Sequence, residues 1–353
     1  MDRIKLVEGL KQVDPARSDK LGIAKGFWFT GKRLLAYNAE LALSVPCKTD
    51  WQGSLQETVL PLLSSSTAQE ITFETGDKEQ ILVKAGASKF KLNSNPIEDV
   101  TFKMPAMPED VSFGVKDIPE FLYRLRATTR SLGNDMSENE FKGITFIAKG
   151  KTLHMFGWER VTMTHAQIPI TGDMGFERVL IPTAVVNQLL RITDGATELQ
   201  MSIDDKRLLC KCGGVTLWGR IEDQERNPRD FLGQVTQIKA SANKLLRIDG
   251  ENFKKFAGMI ERACIITQGA ADVTKTKVTW IDNKCFFLSK SSRGVAEEAG
   301  TPAKEAGTHP DVVVNIDPER LQRGLDLSRM IATKPAVIFA NDDDTIHYFV
   351  SGS

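Results

Sequence analysis

The chain has 353 residues, of which 41% are hydrophobic and 26% charged, and 46 basic side chains balance 46 acidic ones. This length allows two or three domains that each bury a core, and the composition is that of a globular protein without a run of about 18 apolar residues to span a membrane. A net charge of zero argues against tight binding of nucleic acid through one large basic surface.

The chain contains an internal repeat. Residues 62–86 and 189–214 share a pair of leucines, an acidic turn and an alternating strand at nearly the same spacing, and residues 325–349 echo them. Repeats of this length point to copies of one supersecondary unit. We therefore predict an α+β fold with three tandem copies of one domain, at residues 1–108, 109–237 and 238–353.

The first repeat reads as a helix, paired strands, a second helix and more strands. Apolar residues at helical spacing predict the opening helix at residues 4–13. Alternating apolar residues predict strands at 27–29 and within 33–45, and again at 71–73, 81–83 and 90–92. The second helix is expected near residues 55–63.

The second repeat follows the same order. Asp117 and Glu120 form a variant of the capping box, so a helix is expected to start at Ile118. Its apolar face predicts that Arg124, Arg126 and Arg130 lie away from the core. Further elements are expected as strands at 144–147, 153–156 and 161–168, a helix at 184–192, and strands within 198–221.

The third repeat has a helix at residues 251–266 with Lys254, Lys255 and Arg262 opposite its apolar face. Asp317 followed by Pro318 predicts the start of the second helix, and this helix is expected to carry Arg320, Arg323 and Arg329. Residues 291–310 are rich in Gly, Ala and Glu and predict a mobile segment. Basic residues thus recur on the outer faces of successive helices.

The sequence offers no constellation of catalytic residues. The five cysteines are scattered, which favours reduced thiols, and Cys210 and Cys212 are expected to share one face of a strand. His154 and His347 lie in strand patterns, where packing explains them better than metal binding. Asp342, Asp343 and Asp344 fall where a hairpin turn is expected. We therefore expect a protein that is not an enzyme and has no cofactor or metal.

Four stretches resemble one known family. They are residues 84–92, residues 143–154, the run from Gly219 to Phe231 that includes Asn227-Pro228-Arg229-Asp230, and residues 261–266. In their order and spacing they resemble the bacterial-type DNA sliding clamp, the DNA polymerase III β subunit family. The likeness covers the whole chain but is diverged, which fits a phage-encoded member of the family.

The resemblance implies a fold and a function. Three clamp domains per chain would close into a ring as a head-to-tail homodimer, with helices lining the pore and antiparallel sheets outside. Such a ring encircles double-stranded DNA without reading its sequence and acts as a processivity factor. It tethers the replicative polymerase, and polymerase and clamp loader bind through short peptide motifs. The expected location is the bacterial cytoplasm, or the host cytoplasm for a phage protein, with no membrane partner.

The resemblance also implies three sets of site residues. The residues expected to face DNA in the pore are Arg17, Lys20, Arg124, Arg126, Arg130, Arg191, Lys254, Lys255, Arg262, Arg320, Arg323 and Arg329. The pocket for partner peptides would use Phe141, Phe156, Trp158, Arg160, Val161, Pro228, Phe349 and Val350. The dimer interface would use Val100, Phe102, Ile265, Ile266, Glu297 and Glu298.

The sequence departs from the family in the predicted pocket. Gly157-Trp158-Glu159-Arg160-Val161 replaces the family's Asp-Gly-His-Arg-Leu stretch, and Ser351-Gly352-Ser353 replaces its hydrophobic tail. Trp158 would then either fill part of the pocket or stack on an incoming aromatic residue. Two alternatives to a clamp stay open on the sequence: a repeat-built structural protein of a virion, and a metal-dependent nuclease that uses Asp342 to Asp344.

Overall fold

The computed structural model describes residues 1–18, 26–75, 79–100, 102–108, 112–132, 142–204, 206–221, 230–242, 247–267, 276–281, 284–302, 312–332 and 336–351. Its α-helices in these ranges are α1 Arg3–Val13, α2 Val59–Ser65, α3 Ile118–Thr128, α4 Thr183–Thr193, α5 Phe231–Ala242, α6 Gly250–Thr267 and α7 Pro318–Gln322. Among the described residues, no helix has the length and apolar composition needed to cross a membrane.

The strands of the first half of the chain are β1 Phe27–Thr30, β2 Arg33–Tyr37, β3 Leu41–Pro46, β4 Gln52–Leu55, β5 Ile71–Thr75, β6 Gln80–Ala85, β7 Ser88–Asn93, β8 Phe113–Gly114, β9 Gly143–Lys149, β10 Thr152–Trp158, β11 Thr162–Pro169 and β12 Thr171–Gly172. Those of the second half are β13 Arg178–Pro182, β14 Leu199–Ile203, β15 Arg207–Cys212, β16 Val215–Arg220, β17 Arg247–Asp249, β18 Thr276–Ile281, β19 Lys284–Ser291, β20 Gly294–Pro302, β21 Val312–Ile316, β22 Arg329–Ala332, β23 Ala336–Ala340 and β24 Ile346–Ser351. Helices and antiparallel strands of this mixture make an α+β protein.

The chain folds into two compact units, each made of two segments. The first unit comprises Met1–Leu122 and Ile170–Asp223, and the second comprises Tyr123–Pro169 and Gln224–Ser353. Each unit therefore combines sequence from two of the predicted repeats. The division into domains at residues 108 and 237 is not tested by this arrangement and stays a prediction.

The first unit contains a nine-stranded sheet in the order β12-β8-β14-β15-β16-β3-β2-β1-β4 and a three-stranded sheet β5-β6-β7. Strands β16 and β3 pair antiparallel, with Leu217 opposite Leu43, so the first and second repeats share one sheet. Helix α1 packs on β2 and β3 and buries Leu6, Leu10 and Val13. Helix α4 packs on β16 through its own apolar face.

The second unit contains seven strands that follow one another in the order β9-β10-β11-β24-β23-β22-β17, and a four-stranded sheet β20-β19-β18-β21. Strand β11 of the second repeat pairs with β24 of the third, and His165 lies opposite His347. Helix α6 packs on β19 and β20 and buries Phe253, Phe256 and Ile260. The core of this unit thus lies between α6 and the strands around it.

The predicted helix starts are confirmed. The Oδ1 atom of Asp117 accepts a hydrogen bond from the backbone N–H of Glu120 at 2.9 Å. Asp317 accepts one from the N–H of Glu319 at 3.0 Å. A carboxylate that satisfies a free N–H in the first turn stabilises a helix at this end. The hairpin turn predicted around Asp343 is also present, since it joins β23 to β24.

Several sequence predictions are wrong. The second helix of the first repeat starts at Val59, because Leu55 ends strand β4. Within the segment predicted to be mobile, residues 294–302 form strand β20 and pair with β19. Pairing has overridden the weak strand propensity of its Gly, Ala and Glu residues. Residues 303–310 of that segment lie outside the described ranges.

The last helix and the connector before the third repeat also differ from the prediction. Helix α7 ends at Gln322, and Arg329 opens strand β22. A Cβ atom at Gly324 would lie 2.4 Å from Cγ of Phe339, so the chain turns there in close contact with β23. Helix α5, Phe231–Ala242, had no counterpart in the sequence prediction.

Candidate functional site

Two of the basic residues predicted to face DNA are open to solvent without an ion pair. Arg126 and Lys255 are exposed, and no carboxylate among the described residues lies within ion-pair distance of either. Lys254 is also exposed and contacts Glu251 at 2.6 Å, with both side chains at least three-quarters exposed. An ion pair of this kind is held weakly in water, so Lys254 can exchange its partner for a phosphate.

Arg124 and Arg329 are buried, which corrects the prediction that Arg124 faces away from the core. Arg124 donates to the backbone oxygen of Gln167 and lies 3.4 Å from Asp343. Arg329 pairs with Asp344, and burial lowers the pKa of its guanidinium. Both arginines hold the turn between β23 and β24, so neither presents its charge to a polyanion.

Three further arginines are bound to carboxylates of the second unit. Arg323 donates to Oε1 of Glu159 at 3.1 Å, and Nε of Arg320 lies 3.9 Å from the same oxygen. Arg130 pairs with Asp326. Glu159 belongs to the segment that departs from the family pattern. Arg320 and Arg323, predicted for the pore, therefore bind a carboxylate that is adjacent in sequence to residues predicted for the peptide pocket.

In the first unit, Arg17 and Arg191 have structural partners. Arg17 pairs with Asp14 at 3.0 Å and with Glu57 at 2.5 Å. Arg191 of α4 donates to the backbone oxygens of Lys11 and Gln12. A guanidinium in this position satisfies carbonyls at the end of α1 and interacts favourably with the helix dipole. Lys20 lies outside the described residues.

The interface residues predicted in the third repeat lie together on α6 and β20. Ile265 is 70% exposed, which is unusual for a large apolar side chain, and Ile266 is half-buried. Arg262 binds Glu298 through two hydrogen bonds of 2.5 and 3.0 Å, and Glu297 is exposed. Strand β20 is an edge strand of its sheet, so its outer backbone groups can pair with another strand.

Val100 and Phe102, the interface residues predicted in the first repeat, pack instead on their own sheet. Neither lies in a strand, and both contact a buried cluster built around Trp28 and Tyr37. The ring of Phe102 stacks on Tyr37 with 5.3 Å between centroids and meets the edge of Trp218 at 5.2 Å. Their apolar character is explained by this cluster, and their assignment to the dimer interface stays a prediction.

The described residues of the predicted peptide pocket lie on β10, β24 and the turn after β10. Phe156 and Phe349 belong to a hydrophobic cluster, and Trp158 packs against it. Val350 is buried within β24, Arg160 is exposed, and Val161 accepts a hydrogen bond from the N–H of Ser351 at 2.8 Å. Phe141 and Pro228 lie outside the described residues.

The cluster is covered by helix α5. Phe231 is 4% exposed and stacks on Phe156 with 5.1 Å between ring centroids. Trp158 meets the edge of Phe231 at 6.1 Å, so Trp158 packs inward against the helix. Val235 of α5 is buried in the same cluster. The apolar surface predicted to bind partner peptides is therefore in contact with a segment of the same chain.

Gly157 fixes the course of β10 beside this cluster. A Cβ atom at this position would lie 1.8 Å from the backbone oxygen of Thr128, a distance that no side chain can adopt. The strand can approach the last residue of α3 this closely only with glycine. Gly157 therefore sets where Phe156 and Trp158 point.

A row of three histidines, missed as a group by the sequence analysis, crosses the strands under α5. His154 and His165 stack with 5.3 Å between centroids, and their rings share a hydrogen bond of 3.1 Å. His165 stacks on His347 at 6.0 Å, and His347 lies 3.1 Å from Asp344. Pairing the predicted strands 153–156 and 161–168 as a hairpin would have brought the first two together.

All three histidines are held neutral by their surroundings. Burial lowers the pKa of His347 to about 3, helped by the charges of Lys239 and Arg329. Burial also lowers the pKa of His154 and lowers that of His165 well below its usual value. Desolvation disfavours the imidazolium form. The row is therefore an uncharged part of the packing around neutral pH.

The acidic turn and the cysteines carry no catalytic arrangement. Asp342 accepts from Ser328, Asp343 from Thr345, and Asp344 pairs with Arg329, so all three carboxylates have partners within the chain. Burial raises the pKa of the Cys210 and Cys212 thiols, which keeps them protonated. Over the part of the chain that the structure describes, no group of three or more His, Cys, Asp or Glu side chains could hold a metal ion.

No family model matches the chain, and no curated protein is significantly similar to it. Solved structures do match over its full length. A DNA polymerase sliding clamp from Bacillus subtilis aligns with a TM-score of 0.84 and 15% identity, and covers 100% of this chain and 98% of its own.

Two further structures have the same coverage, 100% of this chain and 98% of their own. The β subunit from DNA polymerase of Streptococcus pyogenes aligns with a TM-score of 0.83 and 14% identity. The β sliding clamp of C. crescentus aligns with a TM-score of 0.83 and 16% identity. At this identity the likeness establishes the fold, and the resemblance read from the sequence is confirmed at that level.

Proposed function

We propose that this sliding-clamp fold serves as a DNA sliding clamp, a processivity factor that encircles duplex DNA and tethers the replicative polymerase. The observation that carries the proposal is the match over the whole chain, with a TM-score of 0.84 to a DNA polymerase sliding clamp. A likeness that covers 100% of this chain supports the same task for all three predicted repeats. The protein would then work as a binding protein without catalysis, in the cytoplasm where the chromosome or a phage genome is copied.

Each chain would supply three domains, at residues 1–108, 109–237 and 238–353, to a ring of two chains. The edge position of β20 and the exposure of Ile265 support an interface on that side of the third repeat. Ile266, Glu297 and Glu298 would complete it. An exposed apolar side chain next to a free strand edge is a surface that a partner strand can cover.

Contacts with DNA would be few and loose. A clamp has to slide, so it should meet phosphates through exposed charges and read no bases. Arg126, Lys254 and Lys255 meet this requirement, since all three are exposed and, within the described ranges, Glu251 beside Lys254 is the one carboxylate at ion-pair distance. The other described arginines of the predicted pore are bound to groups of their own chain, so few positive charges are left to meet phosphates.

Polymerase and clamp loader would bind through short peptides at the surface around Phe156, Trp158 and Phe349. Two features support this location. The surface is apolar, and it lies beside a charged network formed by Glu159 and Arg323 that can orient a polar backbone. Arg160 and Val161 would form its edge.

Retention on circular and linear DNA tests the proposal. We expect a particle of twice the chain mass of 39.1 kDa in sedimentation. After loading, it should stay on nicked circles and run off linear duplexes through their ends. Equal loss from circles and linear fragments would exclude topological linkage and with it the clamp function.

The contribution of Arg126 and Lys255 to DNA binding is tested in the same retention assay. The double variant Arg126→Glu/Lys255→Glu should be retained less on circles at moderate salt. The slope of log affinity against log salt should fall by about 0.9 for each lost phosphate contact. The matched control is Lys206→Glu/Lys211→Glu, which makes the same charge change at exposed positions on and beside β15. If both variants behave alike, Arg126 and Lys255 do not face DNA.

A further inference from the structure

Helix α5 is built as a separable element. The carboxylate of Asp230 accepts from the N–H of Gly233 at 2.8 Å, and its backbone oxygen accepts from the N–H of Gln234 at 2.9 Å, so the helix has its own cap. Phe231 and Val235 are buried on one face, whereas Gln234, Thr236 and Gln237 are exposed. A capped amphipathic segment of this kind can dock on and leave an apolar surface as a unit.

The surface under α5 is formed by strands from two repeats. Phe156 and Met163 come from β10 and β11, and Ile338 and Phe349 come from β23 and β24. The ring of Phe231 stacks on Phe156 and is closed in from the side by Trp158. A large ring inserted among other aromatic rings is how an anchor residue of a bound peptide is held.

Helix α5 contacts the surface through apolar side chains and, near its C-terminal end, through one lysine. Its first turns lie on the apolar cluster, and Ile238 packs against the edge of the same cluster. Lys239 further along is half-buried, and burial lowers its pKa, with an added contribution from Arg329. A partly desolvated cation close to another cation stabilises docking less than an apolar contact does. The apolar side chains of α5, of which Phe231 is the largest, therefore hold the helix on the surface.

We propose that α5 is an internal occupant of the surface that binds partner peptides, with Phe231 in the place of the partner's hydrophobic anchor. The inference rests on the proposed function for the identity of the site. In the free protein the surface is closed by its own chain. A partner peptide binds by carrying a large apolar residue that displaces Phe231 from the rings of Phe156 and Trp158.

The helix itself supplies the probe for a test. A fluorescent peptide with the sequence of residues 230–240, Asp-Phe-Leu-Gly-Gln-Val-Thr-Gln-Ile-Lys-Ala, is titrated with the full-length protein and followed by anisotropy. The wild type should bind it at least tenfold more weakly than the variant Phe231→Ala, whose own anchor is missing. A peptide with Phe replaced by Ala is the matched control and should bind neither protein.

Equal binding by the wild type and Phe231→Ala would show that α5 does not close the surface. Absence of binding by a folded Phe231→Ala protein would show that the helix cannot be exchanged, and either result overturns the inference. The more conservative Phe231→Leu keeps an apolar anchor and should give an intermediate affinity if Phe231→Ala does not fold.

Hydrogen exchange of the wild type provides a measurement without substitutions. Amides of α5 should exchange at least tenfold faster than those of β10 and β11, because the helix detaches without unfolding of the sheet. Exchange of α5 only together with these strands would contradict a removable helix. Retention on DNA circles, measured on the same proteins, separates the two hypotheses. Retained circles without peptide exchange would reject this inference alone, whereas loss of retention by the wild type would reject the clamp.

Discussion

Two segments, one near the end of the first predicted repeat and one near the end of the second, cover apolar sheet faces in different ways. Residues 97–100 and 102–104 run over the cluster of Trp28 and Tyr37 in a largely irregular conformation, and Phe102 stays half-exposed. Helix α5 covers the second cluster and buries Phe231 to 4% exposure. The first segment covers its sheet as an irregular segment with a partly exposed aromatic ring. The second is a capped helix with one buried aromatic ring. Only the second has the form of a peptide that could be replaced.

The largest expected difference between these segments is the stability lost when the main aromatic side chain of each is removed. Phe231→Ala should lower the free energy of unfolding by about 3–5 kcal/mol, because it leaves a cavity among buried rings. Phe102→Ala should cost roughly half as much, since part of its ring already contacts water. Guanidinium denaturation of both variants measures the two losses. Equal losses would mean that the two segments are packed alike.

A second difference is that a row of three histidines lies beside the surface under α5. In the folded chain the pKa of His347 is lowered to about 3, below its unfolded value of about 6.5. The unfolded chain therefore binds more protons between these two values, so stability rises with pH there and is lost on acidification. The neighbours that act on His347 are Lys239, Arg329, Asp343 and Asp344.

Replacement of His347 isolates its contribution to the pH dependence of stability. His347→Gln should lower the free energy of unfolding at pH 7, and this loss should shrink by about 2 kcal/mol at pH 5, because the wild type is destabilised by the proton its unfolded state gains. Urea denaturation of both proteins at the two pH values gives the difference. A loss that does not change with pH would show that His347 titrates alike in both states.

The smallest expected effect concerns the cap of α5. Asp230→Ala removes the acceptor for the N–H of Gly233 and should destabilise the helix by about 1 kcal/mol. Exchange of α5 amides should then be about fivefold faster. Asp317→Ala removes the corresponding cap of α7 and serves as the control, since it should leave α5 unchanged. Unaltered α5 exchange in Asp230→Ala would mean that packing alone holds the helix.

Local signals carried the prediction of the fold. Capping residues such as Asp117 and Asp317 and the alternation of strand residues gave most elements, because each signal depends on a few neighbouring residues. The spacing of Phe231, Leu232, Val235 and Ile238 after Asp230 would have indicated α5 as well. Gly233 lies within this stretch and is a poor helix former, so it weakens the helical signal of the sequence.

The candidate site was harder to read because its residues depend on distant parts of the chain. Arg124 looked like a surface residue by its spacing, but its partner Gln167 lies 43 residues away. Arg329 is fixed by Asp344 across a hairpin. The charge of a side chain is visible in a sequence, whereas its burial is decided by contacts with residues that come close only when the chain folds. The resemblance to sliding clamps supplied the fold but could not show which arginines are already engaged.

The pairing of strands across predicted repeats affects how fragments of the chain should behave. Strand β3 of the first repeat pairs with β16 of the second, and β11 of the second pairs with β24 of the third. A fragment ending at residue 108 would leave the free edge of β3 without its neighbour, and a fragment starting at residue 238 would leave that of β24 bare. Unprotected sheet edges recruit other chains. The predicted repeats are thus not units that can be expected to stay soluble when they are separated.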